Sequence, residues 1–126
     1  MLFRSFIEVT DPANPVEVGF IGGPSSSWRD MKTYRNYAYI VTEAGGGMQI
    51  VDLTDPLDPT LVNTWSNTFS SAHNLFIDTL EGTAFTTGTG TSQPFGIEVA
   101  LDANTNVEVA QATAGAYEIE IGRAHV

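Results

Sequence analysis

Ile7-Glu8-Val9-Thr10-Asp11-Pro12 and Val51-Asp52-Leu53-Thr54-Asp55-Pro56 align position by position at an offset of 44. Asn14-Pro15-Val16 falls on Asp58-Pro59-Thr60 at the same offset, and Trp28-Arg29-Asp30-Met31 falls on Ala72-His73-Asn74-Leu75. A slip of two residues brings Tyr37-Ala38-Tyr39 onto Thr83-Ala84-Phe85. A third copy, Ile97-Glu98-Val99-Ala100-Leu101-Asp102, is degenerate and lacks the prolines. Periods near this length with four short β-patterned stretches each mark propeller blades. Helical repeats of similar length would space their apolar residues by 3.6, and no segment here does. The expected fold class is all-β: a β-propeller fragment of about two and a half four-stranded antiparallel blades with a repeat of about 44 residues.

Alternation and punctuation place the strands. Residues 29–34 and 37–42 pair through Arg35-Asn36, 48–53 follows Gly45-Gly46-Gly47, and 60–65 closes the unit. The next unit reads as 73–78, 83–88, 96–101 and 107–113, while 6–9 and 16–21 form the second half of a preceding one. The boundaries that follow are a half blade over 6–22 and complete blades over 28–66 and 72–113. In Asp55-Pro56-Leu57-Asp58-Pro59 the prolines fix φ and lack a donor, so they stop one strand and start the next, and the aspartates can cap amides of the turn. In residues 48–53, positions 48 and 50 share one face and 49, 51 and 53 the other. Both faces are largely apolar, as a sheet stacked between two others requires.

The chain has 126 residues, 15 acidic against 5 basic side chains, a formal charge of −10 and no cysteine. A hydrophobic content of 42% with 16% charged residues is that of a folded, soluble domain rather than a disordered tail. No apolar run approaches the roughly 20 residues of a membrane-spanning helix. The negative charge repels phosphate backbones and anionic lipid, so neither a nucleic acid nor membrane contact is expected. Without cysteine there is no disulfide, thiolate zinc site or thiol nucleophile. Residues 1–5 and 120–126 resemble translated sequencing-adapter frames and are set aside like tags, which implies a read-derived, metagenomic fragment of a longer protein.

Met48-Gln49-Ile50-Val51-Asp52-Leu53-Thr54-Asp55-Pro56, with Asn36-Tyr37-Ala38-Tyr39-Ile40-Val41 before it, resembles the LVIVD repeat. Trp28-Arg29-Asp30 and Ser71-Ala72-His73-Asn74-Leu75 resemble the choice-of-anchor B family of surface proteins built from that repeat. The resemblance covers residue 6 to about 113 and is strongest over 28–88, while the third copy departs from it at Ala100, Ala103 and Asn104. It implies a β-propeller, export to the extracellular space or cell surface, and a C-terminal anchor; it implies no activity. The partners it implies are the remaining blades of the full-length chain and a small polar ligand or surface partner.

Candidate chemistry is sparse. His73 is the one histidine between the set-aside ends, which leaves no two-histidine zinc site. No Gly-x-Ser-x-Gly elbow presents a serine, and the glycine stretches lack the Lys-Ser/Thr of a phosphate loop. Asp52, Asp55 and Asp58 are possible calcium ligands but do not match an EF-hand, and turn capping explains them; no cofactor is expected. The ligand-binding candidates are Arg29, Asp30, His73 and Asn74, equivalent pairs at the start of each unit's first strand. In a propeller that strand lines the central channel, where ligands bind. The alternative is that Asp30 and Asn74 bond amides of neighbouring blades while Arg29 or His73 bonds a turn carbonyl. Trp28 is open to ligand stacking, whereas Tyr37, Tyr39 and Phe85 read as core. The functional expectation is a surface-anchored, non-enzymatic binding or scaffold module. A hydrolase or lactonase-type enzyme with a metal at the channel is the alternative.

Overall fold

The computed structural model describes residues 4–66 and 69–89 in full and, beyond them, the backbone of two further strands. Ten strands are present and no helix occurs among the described residues: β1 (Ser5–Glu8), β2 (Val16–Phe20), β3 (Arg29–Tyr34), β4 (Tyr37–Thr42), β5 (Met48–Asp52), β6 (Thr60–Trp65), β7 (Asn74–Asp78), β8 (Thr83–Thr87), β9 (Ile97–Leu101) and β10 (Val107–Glu108). They form an antiparallel pair β1-β2, a central sheet in the order β3-β4-β5-β6 and a third sheet in the order β7-β8-β9-β10. Each four-stranded sheet is a meander in which every strand pairs with its neighbour in sequence. The all-β, antiparallel reading stands, with strand ends shifted by a residue or two. The stretches 90–96, 102–106 and 109–126, including the expected end of the last strand and the C-terminal adapter-like segment, lie outside the described residues.

The 44-residue offset is a structural operator as well as a textual one. The ladder steps between Phe6 and Ile7, where the partner changes from Gly19 to Glu17 and skips Val18. It steps again between Ile50 and Val51, from Asn63 to Leu61, skipping Val62. The bulge therefore recurs at equivalent positions, and β1-β2 corresponds to β5-β6. Turn chemistry repeats too. The Ala13 N–H donates to Asp11 Oδ1 and the Leu57 N–H to Asp55 Oδ1, both at 3.0 Å. The Asn14 and Asp58 N–H groups reach back to the Asp11 and Asp55 carbonyls, also at 3.0 Å. These are Asx turns placed by the Asp-Pro phrase, and Pro15 and Pro59 immediately precede β2 and β6.

The two-residue slip has an equally local origin. Arg35 and Asn36 alone join β3 to β4, with Arg35 in the left-handed region at φ 53°, whereas residues 79–82 join β7 to β8. That four-residue turn is closed by the Asp78 carboxylate, which accepts from the Leu80 and Glu81 N–H groups, and by Gly82 at φ 68°. In the third copy the register differs from the textual match. Ile50 lies opposite Tyr39 and Glu98 opposite Phe85, so Val99, rather than Ile97, holds the place of Val51.

The core lies on both sides of the central sheet. Tyr37, Tyr39 and Val41 on β4, with Met48 and Ile50 on β5, cluster with Leu75, Ile77 and Ala84 of the third sheet. Alternate residues Ala38, Ile40 and Val51 cluster instead with Ile21 and Phe6 beside the first pair. Period-two alternation thus delivers two apolar faces from the same two strands. Arg4, within the segment set aside from the repeat, is buried and donates to the Gly22 carbonyl at 2.8 Å and to Gln49 Oε1, and Ser5 opens β1. Gly47 enters β5 at φ 79° and donates to the Ser70 carbonyl at 2.8 Å; a side chain there would collide with the Trp65 carbonyl.

Val51 is fully buried and faces the first pair. Val51→Asp places an unpaired charge there and is expected to cost about 4 kcal/mol or more, enough to abolish a cooperative melt; Val51→Ala costs on the order of 2 kcal/mol. Denaturant titration followed by circular dichroism distinguishes the two. Equal, small effects of both changes would show that the face is not packed in solution.

Candidate functional site

β3 and β7 are the first strands of their sheets, and they pack beside each other without sharing a ladder. The four candidate residues sit where these strands begin. Asp30 projects from β3 toward β7 and accepts the Leu75 N–H at 2.8 Å and Asn74 Nδ2 at 3.5 Å through one carboxylate oxygen. Its other oxygen accepts the Met31 N–H at 2.9 Å and Lys32 Nζ at 2.8 Å. Burial pushes this carboxyl upward, but the donors outweigh it. Hydrogen bonds from Lys32, from the Leu75 N–H and from the Met31 N–H hold it below the ordinary carboxylate range. Asp30 therefore ties the first strand of one sheet to the first strand of the next.

Trp28 and His73 lie just ahead of these strands. Their rings stack with centroids 4.3 Å apart and planes 6° from parallel, and the indole N–H donates to the His73 carbonyl. His73 Nδ1 contacts the Glu43 carboxylate on the β4-β5 connection, and its main-chain N–H donates to the Thr87 carbonyl at 2.8 Å. Gly88 makes room for this arrangement: at φ 64°, a Cβ there would lie 2.7 Å from that of His73. Arg29 turns the other way and donates to the Pro24 carbonyl, in the segment between β2 and β3, and burial lowers its pKa. The three cations of this region go to separate partners, because Lys32 pairs with Asp30 and Arg35 lies 5.3 Å from the Tyr34 ring. They do not make one anion patch.

Asp30, His73 and Asn74 thus gather at one inter-sheet junction, and Arg29 is directed away from it. Two participants were not among the candidates: Glu43, for which no sequence signal exists, and Trp28 as the partner of His73. Trp28 faces Ala72 in the repeat alignment, and that mismatch was the available signal. The Asp11, Asp52 and Asp55 carboxylates act as turn caps. Asp52 Oδ1 accepts from both the N–H and the hydroxyl of Thr54, at 2.7 and 2.6 Å, and these bonds lower its pKa. Among the described residues no group of three His, Cys, Asp or Glu side chains is placed to hold a metal ion.

Compared with known protein families, curated proteins and solved structures, the chain matches none.

Because Asp30 is held below its unfolded value of about 3.9, its bonds stabilise the fold above about pH 4 and are lost as pH falls through the lower, folded-state value. Melting temperature should fall on acidification in that window, and the fall should be shallower in Asp30→Asn. Asp30→Ala leaves the Leu75 N–H without its acceptor and is expected to cost about 1–3 kcal/mol at neutral pH. A variant as stable as the parent across this range would show that the tie is not formed.

Proposed function

We propose that this chain is part of a β-propeller built from LVIVD-like repeats, working as an extracellular, surface-anchored, non-enzymatic binding or scaffold module. The observation that carries the architecture is the contact between β3 and β7. Consecutive meanders that meet through their first strands, while each chain segment returns from a last strand to the next first strand, have the connectivity of adjacent blades. The recurring bulge and Asx turn support the repeat, and β1-β2 corresponds to the second half of a preceding blade. The remaining blades of a full-length chain would complete the ring.

The binding assignment rests on what the polar groups already do. Asp30, the best oxygen donor among the candidates, is engaged by four donors, so catalysis or cation binding through it would first break an inter-sheet tie. His73, half exposed and stacked on Trp28, is left as the group able to meet a small polar ligand or a surface partner.

Two measurements test the reading. Sequencing the gene on either side is expected to show the repeat of about 44 residues continuing, with an export signal and an anchor; flanks without further repeats would overturn the architecture. Assay of the full-length product against ester and lactone substrates, with and without added calcium, is expected to give background turnover. Calcium-dependent hydrolysis lost in His73→Ala would replace the module with a hydrolase.

A further inference from the structure

We infer that Arg4 and Arg29 together bind a small tetrahedral oxyanion of the phosphate or sulfate type, where both guanidiniums meet the segment 22–24 that leads from β2 to β3. The site lies apart from the Trp28–His73 junction and does not depend on the propeller reading. Arg4 Nη1 donates to the Gly22 carbonyl at 2.8 Å and to Gln49 Oε1, and its Nη2 donates to the Pro24 carbonyl at 3.3 Å. Gln49 Nε2 donates to the same Gly22 carbonyl, also at 2.8 Å. Gly23 completes this cradle, since a Cβ there would run into the Arg4 guanidinium. Arg29 reaches the cradle from β3 and donates to the Pro24 carbonyl that Arg4 already uses. Two guanidiniums therefore share one neutral acceptor.

The charge of the cradle is unmatched. Arg4 is 1% exposed, and the acceptors around it are uncharged amides. Among the described residues no carboxylate comes within ion-pair distance of either arginine, because Asp30 pairs with Lys32 and Glu43 with His73. Three buried nitrogens, Arg4 Nε and Arg29 Nε and Nη1, have no hydrogen-bond partner. Burial lowers the pKa of both guanidiniums, and the charge of Arg29 lowers that of Arg4 further. A guanidinium keeps its proton in proteins, so a bound anion is what can relieve this. A dianion balances two cations, and four oxygens offer acceptors enough for three N–H groups on two side chains. Gly22, Gly23 and Pro24 are exposed, and a Cβ at Gly22 would meet nothing within 4 Å, so the cradle lies just beneath the surface with open space at its edge. Arg29 is half-buried and is held there by the Pro24 carbonyl, a bond it can exchange to admit the ion. The formal charge of −10 works against any anion at long range, so binding has to come from contact with these two groups. Arg4 stands in the segment set aside from the repeat, and at the 44-residue offset Met48 holds its place, so the site belongs to this chain rather than to every repeat.

Titration of the purified chain with inorganic phosphate at constant ionic strength, chloride making up the balance, tests this by calorimetry and by thermal melts. One equivalent of phosphate is expected to bind and to raise the melting temperature above that in chloride, with sulfate competing for the same place. Arg29→Gln should weaken binding by about tenfold or more in Kd. Arg4→Met supplies the residue that the repeat itself buries at this position and should weaken binding as much in a folded chain. Melts in chloride establish that the variants fold, and Arg29→Gln decides alone if Arg4→Met melts early. Arg35→Gln removes the same charge from an exposed hairpin tip and should bind like the parent. A parent that responds to phosphate no more than to chloride overturns the inference. So does binding retained in folded Arg29→Gln, binding lost as fully in Arg35→Gln, or stabilisation by acetate without any by phosphate.

Discussion

Burial of the central sheet on both faces is the constraint from which the rest of the arrangement follows. A strand places alternate side chains on opposite sides, so β4 can be buried throughout, and β5 up to Asp52, only if something covers each side. The first pair covers one and the third sheet covers the other, and the chain returns twice from a last strand to a first strand in order to put them there. Several polar groups bond across the stack. Asp30 reaches the Leu75 amide, Gln49 donates to the Gly22 carbonyl at 2.8 Å, and the Ala72 N–H meets the Thr42 carbonyl at 3.0 Å. Each of these holds a connection or a first strand in place at the rim of an apolar layer.

Much of the fold was legible because its signals are local. Proline and aspartate mark the turns by their own backbone chemistry, and alternation marks the faces, so the ends of β3, β4 and β6 could be read from the text. The bulge could not. Val18 and Val62 look like ordinary strand residues, and only pairing reveals that the ladder skips them. The third copy misled for the same reason: without its prolines, textual matching has nothing to anchor it, and register moved Val99 to the place sought for Ile97.

The candidate site was legible in position more than in chemistry. Asp30 of one pair and His73 and Asn74 of the other come together where β3 and β7 meet, since the repeat itself carries them there. Their roles depend on which side of the strand each occupies and on what lies across the gap. Arg29 and Asp30 are adjacent in sequence yet serve different interfaces, one bonding Pro24 and the other Leu75. Glu43 enters from a connection thirty positions before His73, a proximity that no periodicity encodes.

The unequal hairpins carry a lesson about length. A tip of two residues between β3 and β4 became one of four between β7 and β8, and strand alternation on either side was untouched because the tip absorbed the difference. The longer tip supplies its own closure through Asp78 and Gly82 and asks nothing of the layers beneath. It is consequently the natural place to graft a foreign peptide: a sequence displayed between Asp78 and Thr83 would ride on a turn whose length the architecture already treats as negotiable.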